Sequence, residues 1–200
     1  EKNFYGEDHP EVATTLFNIG KLHFDLYEFK ESRSFFLDAL EIYKLDEKNQ
    51  YEGVIDSLNE LSKTHQIEGD FRTAISFKKK ALDMAKIYYE PNDEYIGLFL
   101  NDLGLIYAEI GEYETAKELL FKSLEISRNN NGQENIEVSR TLSNLGWVFS
   151  LIGKFAESEK YYLDSLEIDE INSEENRISI GITKNNLGHL YLSQGLEKDI

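Results

Sequence analysis

The sequence repeats itself with a period of 42 residues, and this period restricts the chain to a small group of folds. A glycine preceded by Leu or Ile recurs in one register, at Gly20, Gly104, Gly146 and Gly188, and Leu61-Ser62 holds the position between the first two. A fixed period of roughly 20 to 50 residues is typical of stacked repeat arrays. Such arrays present a long surface rather than an enclosed reaction centre, so we expect this chain to hold another macromolecule.

Each period predicts two helices. Within residues 94–128, apolar residues recur at three- and four-residue steps, stop near Gly111 and then resume. Glycines 42 residues apart predict a left-handed turn that ends each first helix: Gly69, Gly111, Gly153 and Gly195. Tyr27 occupies this position in the first period, so we expect that turn to be built differently. Aromatic residues begin the predicted second helices: Phe29, Phe71, Tyr113 and Phe155.

These patterns predict an all-α fold, namely an α-solenoid of stacked antiparallel helix pairs. We divide the chain into a linker from a preceding segment at 1–9, helix pairs at 10–50, 51–92, 93–134 and 135–176, and a fifth first helix or cap at 177–200. Small residues in the second helices predict close helix crossings: Ser32, Ala74, Ala116, Ser158, Ala39, Ala81, Ser123 and Ser165.

Composition excludes several classes of function. The absence of cysteine excludes disulfides and thiolate metal sites and fits a cytoplasmic protein. The net charge of −17 argues against binding to nucleic-acid phosphates, and no apolar run approaches the length of a membrane span. Residues 93–134 and 135–176 each carry 9 acids and 3 bases. This charge is either a solvated surface or an attraction for a basic partner.

The repeat resembles the tetratricopeptide repeat. The third period carries the family's residues in order. A longer, 42-residue subclass of the family occurs in kinesin light chains, and this chain is similar to it at residues 5–16, 142–146 and 185–188. The matching residues of the third period are Leu100, Leu103-Gly104, Tyr107, Gly111, Ala116 and, in weakened form, Ser123. The resemblance covers nearly the whole chain. It implies that the α-solenoid is right-handed, and it implies a scaffold whose partners differ from member to member.

The resemblance also implies that the first helix of each pair lines the binding surface. Residues there that packing does not require are our candidate partner contacts: Asn18, Lys21, Asn59, Lys63, Leu98, Asn101, Leu105, Arg140, Asn144, Trp147, Asn186 and His189. Relatives that grip a chain-terminal carboxylate need a basic residue where this chain has Phe17 and Asn59, so we do not predict that clamp.

Asparagine recurs on these helices although it is a poor helix former. Its amide both donates and accepts hydrogen bonds, which suits the backbone of an extended peptide. Relatives use such Asn ladders, which implies this role for Asn18, Asn144 and Asn186. Alternatively, these amides bond across to the next repeat and fix its angle. Glu60 and Asp102 interrupt the ladder in the middle of the array.

Trp147 is the only tryptophan, and its column holds Lys, Leu or His in other repeats. It is therefore either a partly exposed anchor for a partner or a ring folded into the seam between repeats. As an anchor it would extend an apolar stretch with Leu98, Leu105, Ile182 and Leu192. Lys21 and Lys63 would make the opposite end of the surface cationic.

No motif for catalysis, metal or cofactor binding is present. His23 and His65 fall in a packing column, and we interpret Lys78-Lys79-Lys80 as a solvated helix face. The sequence therefore predicts a non-catalytic scaffold without cofactors that binds a protein or peptide segment. The alternatives are a regulatory or sensor module of a larger multidomain protein, for example one with a caspase-like protease, kinase or ATPase domain, and self-association through the open array ends.

Overall fold

The computed structural model describes residue 6, residues 8–171 and residues 176–195, and all regular structure in these ranges is α-helical. Most of the linker predicted at 1–9, residues 172–175 and residues 196–200 lie outside the described residues. The chain divides into two compact units, residues 1–90 and 91–200. Each unit is built from consecutive helices that pack against one another.

The first unit contains α1 (Pro10–Asp25), α2 (Phe29–Lys44), α3 (Tyr51–Ile67) and α4 (Phe71–Tyr88). Each helix packs against the next along the chain, and α1 also contacts α3. The two first helices, α1 and α3, are therefore neighbours in one layer.

The second unit contains α5 (Glu94–Glu109), α6 (Tyr113–Asn131), α7 (Ile136–Leu151), α8 (Phe155–Ile171) and α9 (Arg177–Ser193). Consecutive helices pack in series, and the first helices also contact one another, α5 with α7 and α7 with α9. These three helices form one layer, which carries the candidate site. The limits of the individual repeats within this continuous series remain predictions.

The recurring small residues let the two helices of a pair approach closely. A Cβ atom on Gly20 would lie 2.7 Å from the Phe36 ring, and one on Gly146 would lie 2.7 Å from the Tyr162 ring. In the repeat without this glycine, Ser62 donates a hydrogen bond to the Ala74 carbonyl at 2.8 Å. The predicted close crossings are confirmed, because all eight small residues of the second helices are buried.

The turn between the two helices of a pair adopts the same left-handed conformation in every repeat. Gly69 (φ 79°), Gly111 (φ 83°) and Gly153 (φ 75°) confirm the prediction for glycine. The expectation of a different turn at Tyr27 was wrong, since Tyr27 adopts φ 62°. The helix ends impose this geometry, and the exposed ring of Tyr27 packs edge-on to Phe29, with 6.1 Å between ring centroids.

The interpretation of Lys78 as a solvated residue was also wrong, because its side chain is 0% exposed. The corresponding positions in the other repeats hold the buried residues Phe36, Leu120 and Tyr162. Lys78 thus occupies a core column, and its ammonium group crosses from α4 to α3, where it donates a hydrogen bond to Asn59 Oδ1 at 2.5 Å.

The packing roles predicted for His23 and His65 are confirmed. The His23 ring stacks on Phe35 with centroids 5.1 Å apart, and the His65 ring stacks on Phe77 at 5.6 Å. Phe149 makes the equivalent stack in the fourth repeat. Both imidazoles also pair with an acid in the following turn, His23 with Glu28 at 2.6 Å and His65 with Asp70 at 3.3 Å.

Candidate functional site

The candidate residues of the first unit lie on α1 and α3. Asn18 and Lys21 are exposed, and Asn59 and Lys63 are half-buried. Glu60 Oε1 accepts hydrogen bonds from Lys63 Nζ at 2.7 Å and from Asn59 Nδ2 at 3.2 Å. Together with Lys78 these side chains form a polar network, in which both Asn59 and Lys63 are held by neighbours.

Acidic residues recur every four positions on α3, at Glu52, Asp56 and Glu60. Side chains with this spacing share one helix face. Partial desolvation and then the charges of Glu60 and Glu52 raise the pKa of the Asp56 carboxyl, while Lys63 and Lys21 oppose the increase. This face of the first unit is therefore an acidic stripe with two lysines beside it.

In the second unit an asparagine pair links two neighbouring first helices. Asn144 Nδ2 on α7 donates a hydrogen bond to Asn101 Oδ1 on α5 at 2.9 Å. Asn101 is 2% exposed, which leaves it almost no surface for a partner, whereas Asn144 is half-buried. The bond matches the alternative in which these amides connect repeats, and it also fixes how Asn144 is presented to solvent.

We call the outward stripe of α5, α7 and α9 the first-helix face of the second unit. The stripe follows the four-, four-, three- and four-residue steps that keep side chains on one side of a helix. Its members are Glu94, Leu98, Asp102, Leu105 and Glu109 on α5, Ile136, Arg140, Asn144, Trp147 and Leu151 on α7, and Ile178, Ile182, Asn186, His189 and Ser193 on α9.

A pocket of about 550 Å³ opens on this face between α7, α8 and α9. It brings together three residues predicted from the sequence, Trp147, Asn186 and His189. The remaining wall was not predicted and consists of Ser150, Leu151, Phe155, Tyr162, Leu190 and Ser193. None of the nine lining residues is Asp, Glu, Lys or Arg, although the unit as a whole is strongly acidic.

Trp147 belongs both to the pocket and to the protein interior. Its half-buried ring packs against the buried cluster around Leu145 and Val148 and against the cluster around Leu187 and Leu190. These contacts match the interpretation of Trp147 as a ring in the seam between repeats, and Trp147 also lines the pocket. Its role as an anchor for a partner stays a prediction.

The wall formed by α9 is fixed to α8 and α7. Tyr191 donates a hydrogen bond from its hydroxyl to Glu159 Oε1 on α8 at 2.8 Å. Burial, this bond and the charge of Glu159 raise the pKa of Tyr191 to about 12. The buried Asp169 of α8 accepts hydrogen bonds from Ser139 of α7, at 2.6 Å, and from Ser179 of α9. These contacts hold the pocket walls in place.

The serine hydroxyls of the pocket are already committed as donors. Ser150 Oγ donates to the Trp147 carbonyl and Ser193 Oγ donates to the Leu190 carbonyl, both at 2.7 Å. Since a hydroxyl has one hydrogen, Ser193 offers a ligand acceptor lone pairs, whereas Ser150 also hydrogen-bonds with the Tyr162 hydroxyl. Serine at position 193 stands where the preceding repeat has Leu151, and this smaller side chain leaves the pocket open.

Charge changes across the first-helix face. The stripe on α5 carries Glu94, Asp102 and Glu109, and α5 contains no Lys or Arg. On α7, Arg140 is paired with Glu137. Partial desolvation raises the pKa of the Glu137 carboxyl. The charge of Arg140 lowers this pKa, whereas the charges of Glu94 and Asp102 raise it further. The stripe on α9 has no Asp, Glu, Lys or Arg, so the acidic residues of the face are concentrated on α5.

Three of the apolar candidates lie on this face: Leu98 and Leu105 are half-buried on α5, and Ile182 is exposed on α9. Leu192 is also exposed on α9 but lies outside the stripe. Among the residues described here, no group of three or more metal-ligating side chains comes together. No helix within the described ranges is sufficiently long and apolar to cross a membrane.

The structure defines the chain as a helical-repeat protein. Models of the tetratricopeptide repeat match residues 12–44 and, in two overlapping segments, 53–128 and 95–171. The chain therefore belongs to the tetratricopeptide repeat family. This membership and the packed helix pairs confirm the predicted fold class, an all-α solenoid. No curated protein sequence matches the chain significantly.

Solved structures support the same fold. BtubC (BKLC) from P. vanneervenii is 17% identical with a TM-score of 0.81, over 93% of this chain and 74% of that chain. A kinesin light chain-like protein with nearly identical repeats from Podosopora anserina is 14% identical with a TM-score of 0.75, over 94% and 89%. The apo form of RapI is 17% identical with a TM-score of 0.74, over 92% and 69%. At these identities the likeness concerns the fold alone.

Proposed function

We propose that the chain is a non-catalytic scaffold that binds a segment of another protein on the first-helix face of its second unit. The observation that carries this proposal is the pocket at Trp147, which Asn186 lines and which has no Asp, Glu, Lys or Arg in its wall. Asn144 lies three residues before Trp147 on the same stripe of α7. Pockets that bind ligands are mostly apolar with a few convergent polar groups, and tryptophan is enriched among residues that dominate binding energy.

In this proposal an apolar side chain of the partner enters the pocket, and the amides of Asn144 and Asn186 hold the backbone beside it. His189 lines the pocket with Trp147. Arg140 lies at the border of the contact, and Leu98 and Leu105 extend it towards α5. Asn101 acts through Asn144 rather than directly, because it is buried. Asn18, Lys21, Asn59 and Lys63 lie on the first unit and would serve a separate contact.

The test is a selection of random 12-residue peptides displayed on phage, followed by calorimetric titration of the recovered peptides. Trp147→Ala is unsuitable as the main variant, because its ring also packs into two buried clusters. Ser193→Leu instead fills the pocket with the side chain found at the equivalent position of the preceding repeat, Leu151. Ser76→Leu makes the same change at an exposed position of α4 and is the matched control.

We expect Ser193→Leu to weaken peptide binding at least tenfold and Ser76→Leu to leave it unchanged. Equal affinity of both variants for every recovered peptide would reject the pocket as the binding site. A role within a larger regulatory protein, and location in the cytoplasm, remain compatible with this scaffold function. The sequence of the complete protein decides between an isolated scaffold and such a module.

A further inference from the structure

The first-helix face of the second unit also constrains the chemistry of the segment it binds, if the proposed function holds. Two features point to this chemistry. One is the pocket without charged walls, and the other is the acidic stripe on α5. Both lie on neighbouring helices of one layer, since α5 contacts α7 and α7 contacts α9.

The pocket selects an uncharged anchor. Trp147, Leu151 and Phe155 provide its apolar walls, and no side chain of Asp, Glu, Lys or Arg lines it. Moving a charged group from water into such a site is costly unless it is paired there. The volume of about 550 Å³ lies within the range of sites that enclose small ligands, so an aromatic or large aliphatic side chain fits.

Glu109 is the acidic residue on α5 whose position in the repeat corresponds to the pocket residues Leu151 and Ser193. It occupies on α5 the position that Leu151 occupies on α7 and Ser193 on α9, each 42 residues further along the chain. Glu109 is exposed, and Asp102 lies two turns earlier on the same stripe. A partner segment that crosses from the pocket to α5 therefore meets negative charge at this level.

The distance between helices sets the spacing of the two features in the partner. Packed helices lie about 8–10 Å apart, so the path from the pocket, between α7 and α9, to α5 is roughly 10–15 Å. An extended chain advances about 3.3 Å per residue. The side chain at Glu109 therefore lies about three to five positions along the partner from the side chain in the pocket.

We infer that the partner of this face is an extended segment with an aromatic or large aliphatic anchor and a Lys or Arg three to five residues away. The anchor occupies the pocket at Trp147, Leu151 and Phe155, and the basic residue faces the stripe that ends at Glu109. The attraction of the stripe for this basic residue follows from charge complementarity, which contributes mainly to specificity and to the association rate.

The test compares which 12-residue phage peptides three proteins enrich: wild type, Glu109→Lys and Ser193→Leu. Glu109→Lys should fold normally, because Lys in the last turn of a helix is favourable. We expect wild type to enrich Lys or Arg three to five positions from an apolar anchor. Peptides enriched by Glu109→Lys should carry Asp or Glu at these positions instead. Peptides enriched by Ser193→Leu should show no preference for an apolar anchor. In single peptides, Lys→Glu at the basic position should weaken binding to wild type roughly tenfold.

Peptides that need the pocket but show no charge preference, or the same preference on Glu109→Lys, would overturn the inference and leave the scaffold function intact. Peptides that bind Ser193→Leu as well as wild type would overturn both. A concentration-dependent dimer in light scattering that Ser193→Leu abolishes would identify a second copy of the chain as the occupant, which also overturns the inference.

Discussion

Asn144 donates its amide hydrogen to the buried Asn101 of the neighbouring first helix, with 2.9 Å between Nδ2 and Oδ1. This bond orients an amide that the proposed partner contacts. We expect Asn101→Ala to lower the free energy of unfolding by about 1–3 kcal/mol, because it removes a buried hydrogen-bond partner. It should also weaken peptide binding several-fold, although Asn101 itself is hidden.

The matched control is Asn185→Ala, which changes the exposed asparagine at the equivalent column of α9. Chemical denaturation and calorimetric titration measure both effects. Unchanged affinity in a folded Asn101→Ala protein would show that the orientation of Asn144 does not matter for binding.

The buried Lys78 gives a prediction about stability. Its column holds Phe36, Leu120 and Tyr162 in the other repeats, so an apolar side chain fits this position. Burying an amine costs free energy that an apolar side chain of similar length avoids, and the half-buried Asn59 can replace the lost hydrogen bond with water. We expect Lys78→Met to unfold at equal or higher denaturant concentration than wild type. A loss of more than about 1 kcal/mol would mean that the ammonium group is required for the fold.

Tyr27 adopts the left-handed conformation that glycine provides in the other repeats. A residue with a Cβ atom pays roughly 1–2 kcal/mol for this conformation. We therefore expect Tyr27→Gly to raise the melting temperature, with the gain limited by the greater freedom of glycine in the unfolded chain. Gly111→Ala, at the equivalent turn, should lower it. Calorimetric melting of the two variants beside wild type tests this pair, and a lower melting temperature for Tyr27→Gly would contradict it.

His65 gives a prediction about pH. Burial and then the charge of Arg33 lower the pKa of its imidazole below the usual 6.5, while Asp70 opposes this change. The unfolded chain thus binds a proton more readily than the folded chain does, so the contribution of His65 to stability is complete above about pH 6.5. It is lost as the pH falls through the lowered pKa.

As the pH falls from 7.5 to 5, we expect the free energy of unfolding to decrease more for wild type than for His65→Phe. The variant places at position 65 the ring that stacks in the fourth repeat at Phe149. Denaturant melts at several pH values measure the difference. Parallel curves for the two proteins would show that His65 does not titrate differently in the folded state.

The 42-residue period was sufficient to predict the helices and the starts of the second helices at Phe29, Phe71, Tyr113 and Phe155, because periodic burial leaves a regular pattern. Lys78 and Tyr27 were misjudged because residue type was given more weight than position in the repeat. The columns of Phe36 and Gly69 could have corrected both. In a packed array the neighbours of a position constrain it more strongly than its own intrinsic preference does.

The pocket could be predicted only in part. Trp147, Asn186 and His189 stood out in their columns, but Phe155, Tyr162 and Leu190 had been interpreted as packing residues or not at all. The pocket also depends on Ser193, which lines it and whose equivalent position in the preceding repeat holds the larger Leu151. The size of the pocket depends on the volumes of side chains on three helices, α7, α8 and α9. The repeat pattern of the sequence does not show how these side chains combine in space.

The fluorescence of Trp147 tests the central claim most directly, because this residue is the only tryptophan in the chain and lines the pocket. The measurement is its emission spectrum with and without a saturating amount of a selected peptide that itself lacks tryptophan. Our account predicts a shift of the emission maximum on binding to wild type, and no shift with Ser193→Leu. An unchanged spectrum, with binding to wild type established by calorimetry, would contradict it.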